Sequence, residues 1–296
     1  MPLDFNYSKH YNPMSGLDMP DYLEFETHRE PTRMQGKDYV INSDTGDVLG
    51  IVGSKFNAVS HKKFYHDVYN TMSEQLGDEA MDGVAIKWNT ARNNAFAMLD
   101  ITMPNTKALI RTPKHTTEVA QRVIALHGVD GLCSNQVFFG AMDFFCTNKE
   151  IRGEHDKVRR KNTTNFNMDT FIRELENSVT DFYKHVELLQ KWAGTSTLHV
   201  NIKTLLESVI KSERKAEKMY SLYNEEANVR GHNAFALYSA FTNYATYADE
   251  RNGFSLRNTG NDTNSVSMWL REQEVTKWVS TPQFKELTGD EYTLVA

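Results

Sequence analysis

The sequence predicts an α+β fold: an antiparallel β-rich N-terminal half with one helix, followed by a helical C-terminal half. Three observations lead there. Apolar runs of strand length flank turn residues repeatedly between positions 37 and 146. One four-residue apolar repeat interrupts them between 60 and 77, and beyond 172 the apolar spacing changes to that of helices.

In chain order, residues 1–36 read as an irregular lead-in, with Pro2, Pro13, Gly16, Pro20, Pro31 and Gly36 breaking any regular pattern. A hairpin follows: Lys37 to Ile41 and Val48 to Val52 are strand-like, and Asn42-Ser43-Asp44-Thr45-Gly46-Asp47 between them is turn chemistry. Ser60 is a candidate N-cap for a helix through about Leu76, since Phe64, Val68, Met72 and Leu76 recur every fourth residue and Gly77 is placed to end it. Val84 to Trp88 and Ala95 to Ile101 form a second strand pair around the polar run 89–94. Val119 to Leu126 and Gln136 to Cys146 form a third, around the turn His127-Gly128-Val129-Asp130-Gly131.

In the second half, Ile172, Leu175, Val179, Phe182, Val186 and Leu189 alternate steps of three and four and so share one helix face before Gly194. Ile202, Leu205, Leu206, Val209, Ala216, Met219 and Tyr223 mark another helix. A third runs from Ala234 through Phe241 to Ala248, with Gly253 closing it, and a last one spans about Ser265 to Val279 after the Gly/Asn/Thr-rich run 253–264. The organisation expected is a lead-in over 1–36, a β-rich core over 37–165 and a helical region over 166–296 packed on that core.

Composition narrows the class. The 296 residues are 40% hydrophobic and carry a formal charge of −6, and the mean hydropathy is −0.57. No run approaches the roughly 20 apolar residues of a spanning helix, so no membrane partner is expected. The start, Met1-Pro2-Leu3-Asp4-Phe5, lacks the basic and apolar regions of a secretory signal, and a cytoplasmic setting is expected. Cys133 and Cys146 stand thirteen apart, which fits neither a redox pair nor half a zinc site, and two reduced thiols are expected.

Charge is concentrated in one place. Residues 148–165 hold six Lys or Arg against three Asp or Glu, within a chain of net −6. Asn148, Lys149, Arg152, Lys157, Arg159, Arg160 and Lys161 read as a connector able to clamp phosphates. The bland alternative is a solvated, salt-bridged link. Lys55, His61, Lys62 and Lys63, and Arg111, Lys114 and His115, are two smaller basic groups that join it if the fold allows. Phe56, Trp88 and Phe166 lie near these groups, where stacking on bases contributes ~1–3 kcal/mol each, although Trp88 at strand spacing reads first as core.

Catalytic patterns are weak. His127-x-x-Asp130-Gly131 suggests a base oriented by a carboxylate, but Asp-Gly is what a tight turn needs, and turn chemistry is the stronger reading. His61 and His66 stand five apart, off the spacing that puts two ligands on one helix face. There is no phosphate-binding Gly-rich loop of the Walker type, no Gly-x-Ser-x-Gly elbow and no His-Glu-x-x-His. No metal, cofactor or catalytic residue is assigned.

The run Val40-Ile41-Asn42-Ser43-Asp44-Thr45-Gly46-Asp47-Val48-Leu49-Gly50-Ile51-Val52-Gly53 resembles the opening signature of phage- and plasmid-type proteins catalogued as domain of unknown function 932. His127 to Gly131, then Phe144-Phe145-Cys146-Thr147-Asn148, is similar to that family's turn and following Cys-x-Asn strand. Arg159 to Thr163 resembles its basic, Thr-bearing stretch, with Lys161 where the family has His. Phe235 to Tyr244 resembles its late aromatic helix. The likeness covers roughly residues 37 to 285 and implies a mobile-element setting rather than an activity.

A β-rich half, a basic connector and then helices is also the order of RecT- and Erf-type single-strand annealing proteins, an analogy at the level of fold. Annealers need no catalytic group. The function expected is therefore single-stranded nucleic-acid binding, DNA before RNA, by a homo-oligomer with a local basic groove. The alternatives are a host-takeover or anti-defence factor that occupies a protein surface, and an enzyme acting on nucleic acid through His127, Asp130 and Asn148.

Overall fold

A computed structural model of the chain describes residues 11–12, 16–143, 149–151, 157–160, 182–248 and 264–289. It has antiparallel β-sheets and one helix in the N-terminal half and helices in the C-terminal half, the α+β arrangement expected. The described chain divides into two compact units. The first comprises residues 1–106, 121–139 and 156–181, the second residues 107–120, 140–155 and 182–296.

In the first unit, β1 (Tyr11–Asn12) pairs with β2 (Gly16–Leu17), and a short 3-10 turn spans Asp21–Leu23. β3 (Thr27–Pro31), β4 (Lys37–Asn42) and β5 (Val48–Gly53) form a three-stranded antiparallel sheet in that order. The hairpin 37–53 is thus as expected, but the lead-in holds three strands, β1 to β3, as well. β3 escapes pattern reading because Thr-His-Arg-Glu-Pro is a polar, largely exposed edge strand, with Pro31 at its end where no ladder donor is missed. Between β4 and β5 the register shifts from Val40↔Gly50 to Ile41↔Val48. Leu49 is the extra residue of a bulge and packs against the small core of Phe25, Val40, Val52, Ala95 and Val129.

Helix α1 (His61–Met81) starts at the predicted cap: Ser60 accepts a hydrogen bond from the Lys63 amide. It runs beyond Leu76, but Gly77 breaks it with φ 78°, a conformation that costs glycine little. The predicted stripe faces inward. Phe64, Val68 and Met72 are fully buried and pack with Ile86, Leu99, Ile101, Val123, Val137 and Phe139.

The larger sheet has the order β10-β9-β8-β7-β6, with β11 also paired to β9. Its strands are β6 (Ala85–Ala91), β7 (Phe96–Arg111), β8 (Thr116–Gly128), β9 (Asn135–Asp143), β10 (Lys149–Ile151) and β11 (Lys157–Arg160). β7 and β8 are much longer than their apolar runs, because β7 continues past Met103 through residues that alternate between buried and exposed. The basic run 148–161, expected to be a connector, contributes two strands. Its alternation is hidden from sequence reading because Lys and Arg occupy positions where apolar residues would mark a strand.

The second unit contains α2 (Phe182–Gly194), α3 (Ile202–Ile210), α4 (Glu213–Arg230), α5 (Ala234–Tyr247), α6 (Asn264–Val279) and α7 (Pro282–Thr288). The single helix expected over 202–223 is two: Lys211 adopts the left-handed φ of 54°, and α4 begins after it. α7 is an addition to the expected elements, although its Thr281 cap, Pro282 start and left-handed Gly289 are familiar end signals. α5 is buried along almost its whole length, which makes it the central helix of this core. Phe182 and Leu189 are buried as expected, and Val186 packs against the same core. The earlier part of that stripe, Ile172 to Val179, lies outside the described residues.

Candidate functional site

The basic positions separate by unit. In the first unit, Lys62 and Lys63 occupy the first turn of α1 and are exposed. Lys62 lies 3.5 Å from a Glu24 carboxylate oxygen, and Lys63 donates to Asp67 at 2.9 Å. Such exposed pairs contribute ~0–1 kcal/mol, so either lysine can exchange its carboxylate for another anion at little cost.

In the second unit, Arg111 and Lys114 flank the turn that joins β7 to β8. That turn is anchored by Gln190 of α2, whose amide accepts from the Arg111 N–H and donates to the Arg111 carbonyl, both at 2.9 Å. The side chain thus completes the ladder bonds that the strand end would otherwise lack.

Along the basic run, Lys149 is on β10, opposite Met142 of β9. Lys157, Arg159 and Arg160 are on β11, opposite Phe138, Gln136 and Asn135. Asn148, Arg152 and Lys161 lie outside the described residues, as do Phe166 and Cys146. Cys133 is partly buried, and its thiol donates to the Ser134 carbonyl at 3.1 Å.

The structure brings together two sequence runs that are far apart. Gly50 of β5 lies against the turn after β8: a Cβ there would fall 2.8 Å from the Asp130 Cα and carbonyl oxygen. Gly131 (φ 78°) stands equally close to Val52. The turn after β6 completes the junction. Arg92, Asn93 and Asn94 all take left-handed φ values of 52–61°, which costs ~1–2 kcal/mol per non-glycine residue in a helix of that hand and less for the Asn pair. Several ties oppose that cost. Arg92 Nε donates to Asp130 Oδ2 at 2.5 Å, and the guanidinium lies 5.0 Å over the Phe96 ring. The Val129 amide donates to the Ala95 carbonyl at 2.9 Å.

His61 and His127 sit beneath this junction, both with no exposed surface. His61 Nε2 faces the Asn94 carbonyl at 2.9 Å, and the two Nδ1 atoms are 2.8 Å apart. A carbonyl only accepts, so His61 carries its proton on Nε2 and its Nδ1 accepts from His127 Nδ1–H. His127 Nε2 is then a buried acceptor without a partner. Burial holds His61 down to about 4, against smaller opposing effects of the Asn94 bond and the Asp130 charge. Burial, then His61, pushes His127 well below its usual range. The Phe64 ring stacks on His127 with centroids 4.7 Å apart, and Phe25 meets His61 edge-on at 5.6 Å.

Asp130 is spent on Arg92 and on the Leu132 amide at 2.9 Å. It does not orient His127, so turn chemistry describes this motif, as the sequence suggests. The His61–His127 pairing itself leaves no sequence signal, being 66 residues apart.

A second polar line is also invisible in the sequence. His28 Nδ1 lies 2.9 Å from Ser43 Oγ, and its Nε2 lies 3.4 Å from Glu30. This has the residue types of a nucleophile–base–carboxylate triad but not the setting. The Ser43 amide donates to Glu26, the Asp44 and Thr45 amides to Asn42 Oδ1, and the Gly46 amide to the Asn42 carbonyl. These four amides are engaged, so none of them is left to hold an oxyanion, and the line serves to tie β3 to the β4–β5 turn.

Among the described residues, no three His, Cys, Asp or Glu side chains converge as metal ligands. No helix among them is long and apolar enough to cross a membrane. No family model, no curated protein and no solved structure matches the chain.

Proposed function

We propose that the chain binds single-stranded nucleic acid, DNA in preference to RNA, through the basic run 149–161, as a phage- or plasmid-type binding or annealing protein. The observation supporting this reading is that Lys157, Arg159 and Arg160 belong to a hydrogen-bonded strand, β11, in register with β9. Strand pairing fixes the backbone in advance and spaces alternate residues ~6.8 Å apart. Lys157 and Arg159 then share one face of the strand and Arg160 takes the other, so a flexible strand meets cationic positions whose backbone is already ordered, with less ordering entropy to lose on binding. Lys and Arg that only deter strand pairing with other chains would give no such binding.

The test is a salt-titrated binding assay on single- and double-stranded oligonucleotides, with assembly size measured alongside. Binding is expected to favour single strands, to be nearly independent of sequence, and to weaken with salt by a slope of about 0.7 per phosphate neutralised. Arg159→Ala with Arg160→Ala lowers affinity for all sequences alike and flattens the slope by about 0.7 for each phosphate no longer gripped. No single-strand binding at low salt by the folded protein ends the proposal. Unchanged affinity in the double variant removes the site.

A further inference from the structure

We propose that the His61–His127 contact is an acid-released latch, which holds the β6–β7 turn and the turn after β8 onto the start of α1 at neutral pH and lets them go in acid. The geometry that carries this is a buried chain of two bonds, Asn94 carbonyl to His61 to His127, that ends at a His127 Nε2 with no partner. His61 has one nitrogen committed as a donor. A proton added to its Nδ1 sets two N–H groups face to face at 2.8 Å unless the His127 proton moves to Nε2, where nothing accepts it. A proton added instead to His127 Nε2 places a cation among Phe64, Tyr65 and His61, with no acceptor at that atom.

The other titratable or charged groups around the pair are few. Tyr65 belongs to α1 itself and donates its hydroxyl to the Ala97 carbonyl, and burial keeps it protonated. Cys133 lies close enough to raise Tyr65 further. Asp130, from the turn after β8, favours a charged His61, and Arg92 already neutralises it. Among the described residues no free anion therefore compensates a buried imidazolium, and relief comes from opening the contact to water.

The segments released are those that the latch and its neighbours hold in costly conformations. They are the left-handed residues 92–94 and the turn 128–131, tied to each other by Val129 N–H to Ala95 O and by Arg92 to Asp130. Neither histidine is among the proposed phosphate contacts, so the latch acts independently of nucleic-acid binding.

Amide hydrogen exchange on the full-length, 15N-labelled chain at pH 7.5 and pH 5.0, corrected for intrinsic rates, tests it. Once open, each histidine titrates near its ordinary value of 6.5. The opening constant read at the Ala95 and Val129 amides is then expected to rise about 30-fold for one histidine and about 1,000-fold for both. The inner β6–β7 pairs, Ile86↔Ile101 and Trp88↔Leu99, keep their protection. His61→Gln retains a donor for Asn94 and an acceptor for His127 but takes no proton, so the acid effect should fall by about 30-fold.

Should that variant not fold, imidazole 15N shifts of the unaltered protein decide instead. The latch requires both rings to be neutral in the closed form at pH 5.0. Equal opening at the two pH values, loss of protection spread evenly over β6 and β7, an undiminished acid effect in a folded His61→Gln variant, or a charged imidazole in the closed state would each overturn it.

Discussion

Both units bury an arginine completely, and they satisfy it differently. In the first, Arg122 of β8 sets its fork on one carboxylate: Nε to Asp100 Oδ1 at 2.9 Å and Nη2 to Oδ2 at 3.0 Å. In the second, Arg230 at the end of α4 shares itself between Glu226, one helical turn back at 3.3 Å, and Ser239 of α5 at 3.2 Å, with its guanidinium 5.5 Å over the Phe235 ring. The first unit's pair meets in a two-pronged bond between segments 22 residues apart. The second unit's set is spread over a helix and its neighbour, with Asn243 also bonded to Glu226. Concentrated ties of the first kind make a region sensitive to single changes, whereas distributed ones lose only a part at a time.

The sharpest way to break that comparison is Asp100→Ala. Leaving Arg122 buried without its carboxylate should cost ~3–5 kcal/mol, read as a lower midpoint in urea. Replacing both partners by apolar residues of similar volume, Asp100→Leu with Arg122→Met, should recover much of the loss, because a buried pair is costly mainly when broken. Ser239→Ala in the second unit should cost no more than ~1–3 kcal/mol, since Glu226 and Phe235 stay in place. Equal losses from Asp100→Ala and Ser239→Ala would erase the distinction.

A smaller effect is expected from the glycine contact. Gly50→Ala puts a methyl 2.8 Å from backbone atoms of Asp130, which is not a flexible side chain that can swing aside. A loss of ~1–3 kcal/mol should follow. The same change at Gly194, with open space around it, should be nearly neutral in midpoint.

The smallest effect should come from the surface. Lys62→Ala and Lys63→Ala each remove one exposed ion pair and should shift stability by at most ~1 kcal/mol. A larger loss would mean that the first turn of α1 depends on those lysines for more than charge.

The same contrast explains what the sequence reveals. Repeating patterns are legible: the Phe64-Val68-Met72 stripe, the 37–53 hairpin and the apolar run of α5 all recur at periods that burial imposes. What repeats nothing is not. β3 is polar because it is an exposed edge, Lys211 ends a helix without a glycine, and β10 and β11 carry charges where a strand signal would stand. The junction of Gly50, Arg92, His61 and Asp130 depends on contacts between segments up to about 80 residues apart, which no local window contains. Its turn chemistry can be read, but its histidine pair cannot. For the proposed phosphate contacts, residue type is visible in sequence, while the strand pairing that orders Lys157, Arg159 and Arg160 is not.

The most direct measurement of the account is a hydrogen-exchange footprint of the protein with and without a single-stranded oligonucleotide at low salt. Slowed exchange is predicted in β11 and in its partner positions on β9, Asn135 to Phe138, with α3 to α5 unchanged. Binding accompanied by protection confined to the helices, and none at 135–138 or 157–160, would contradict it.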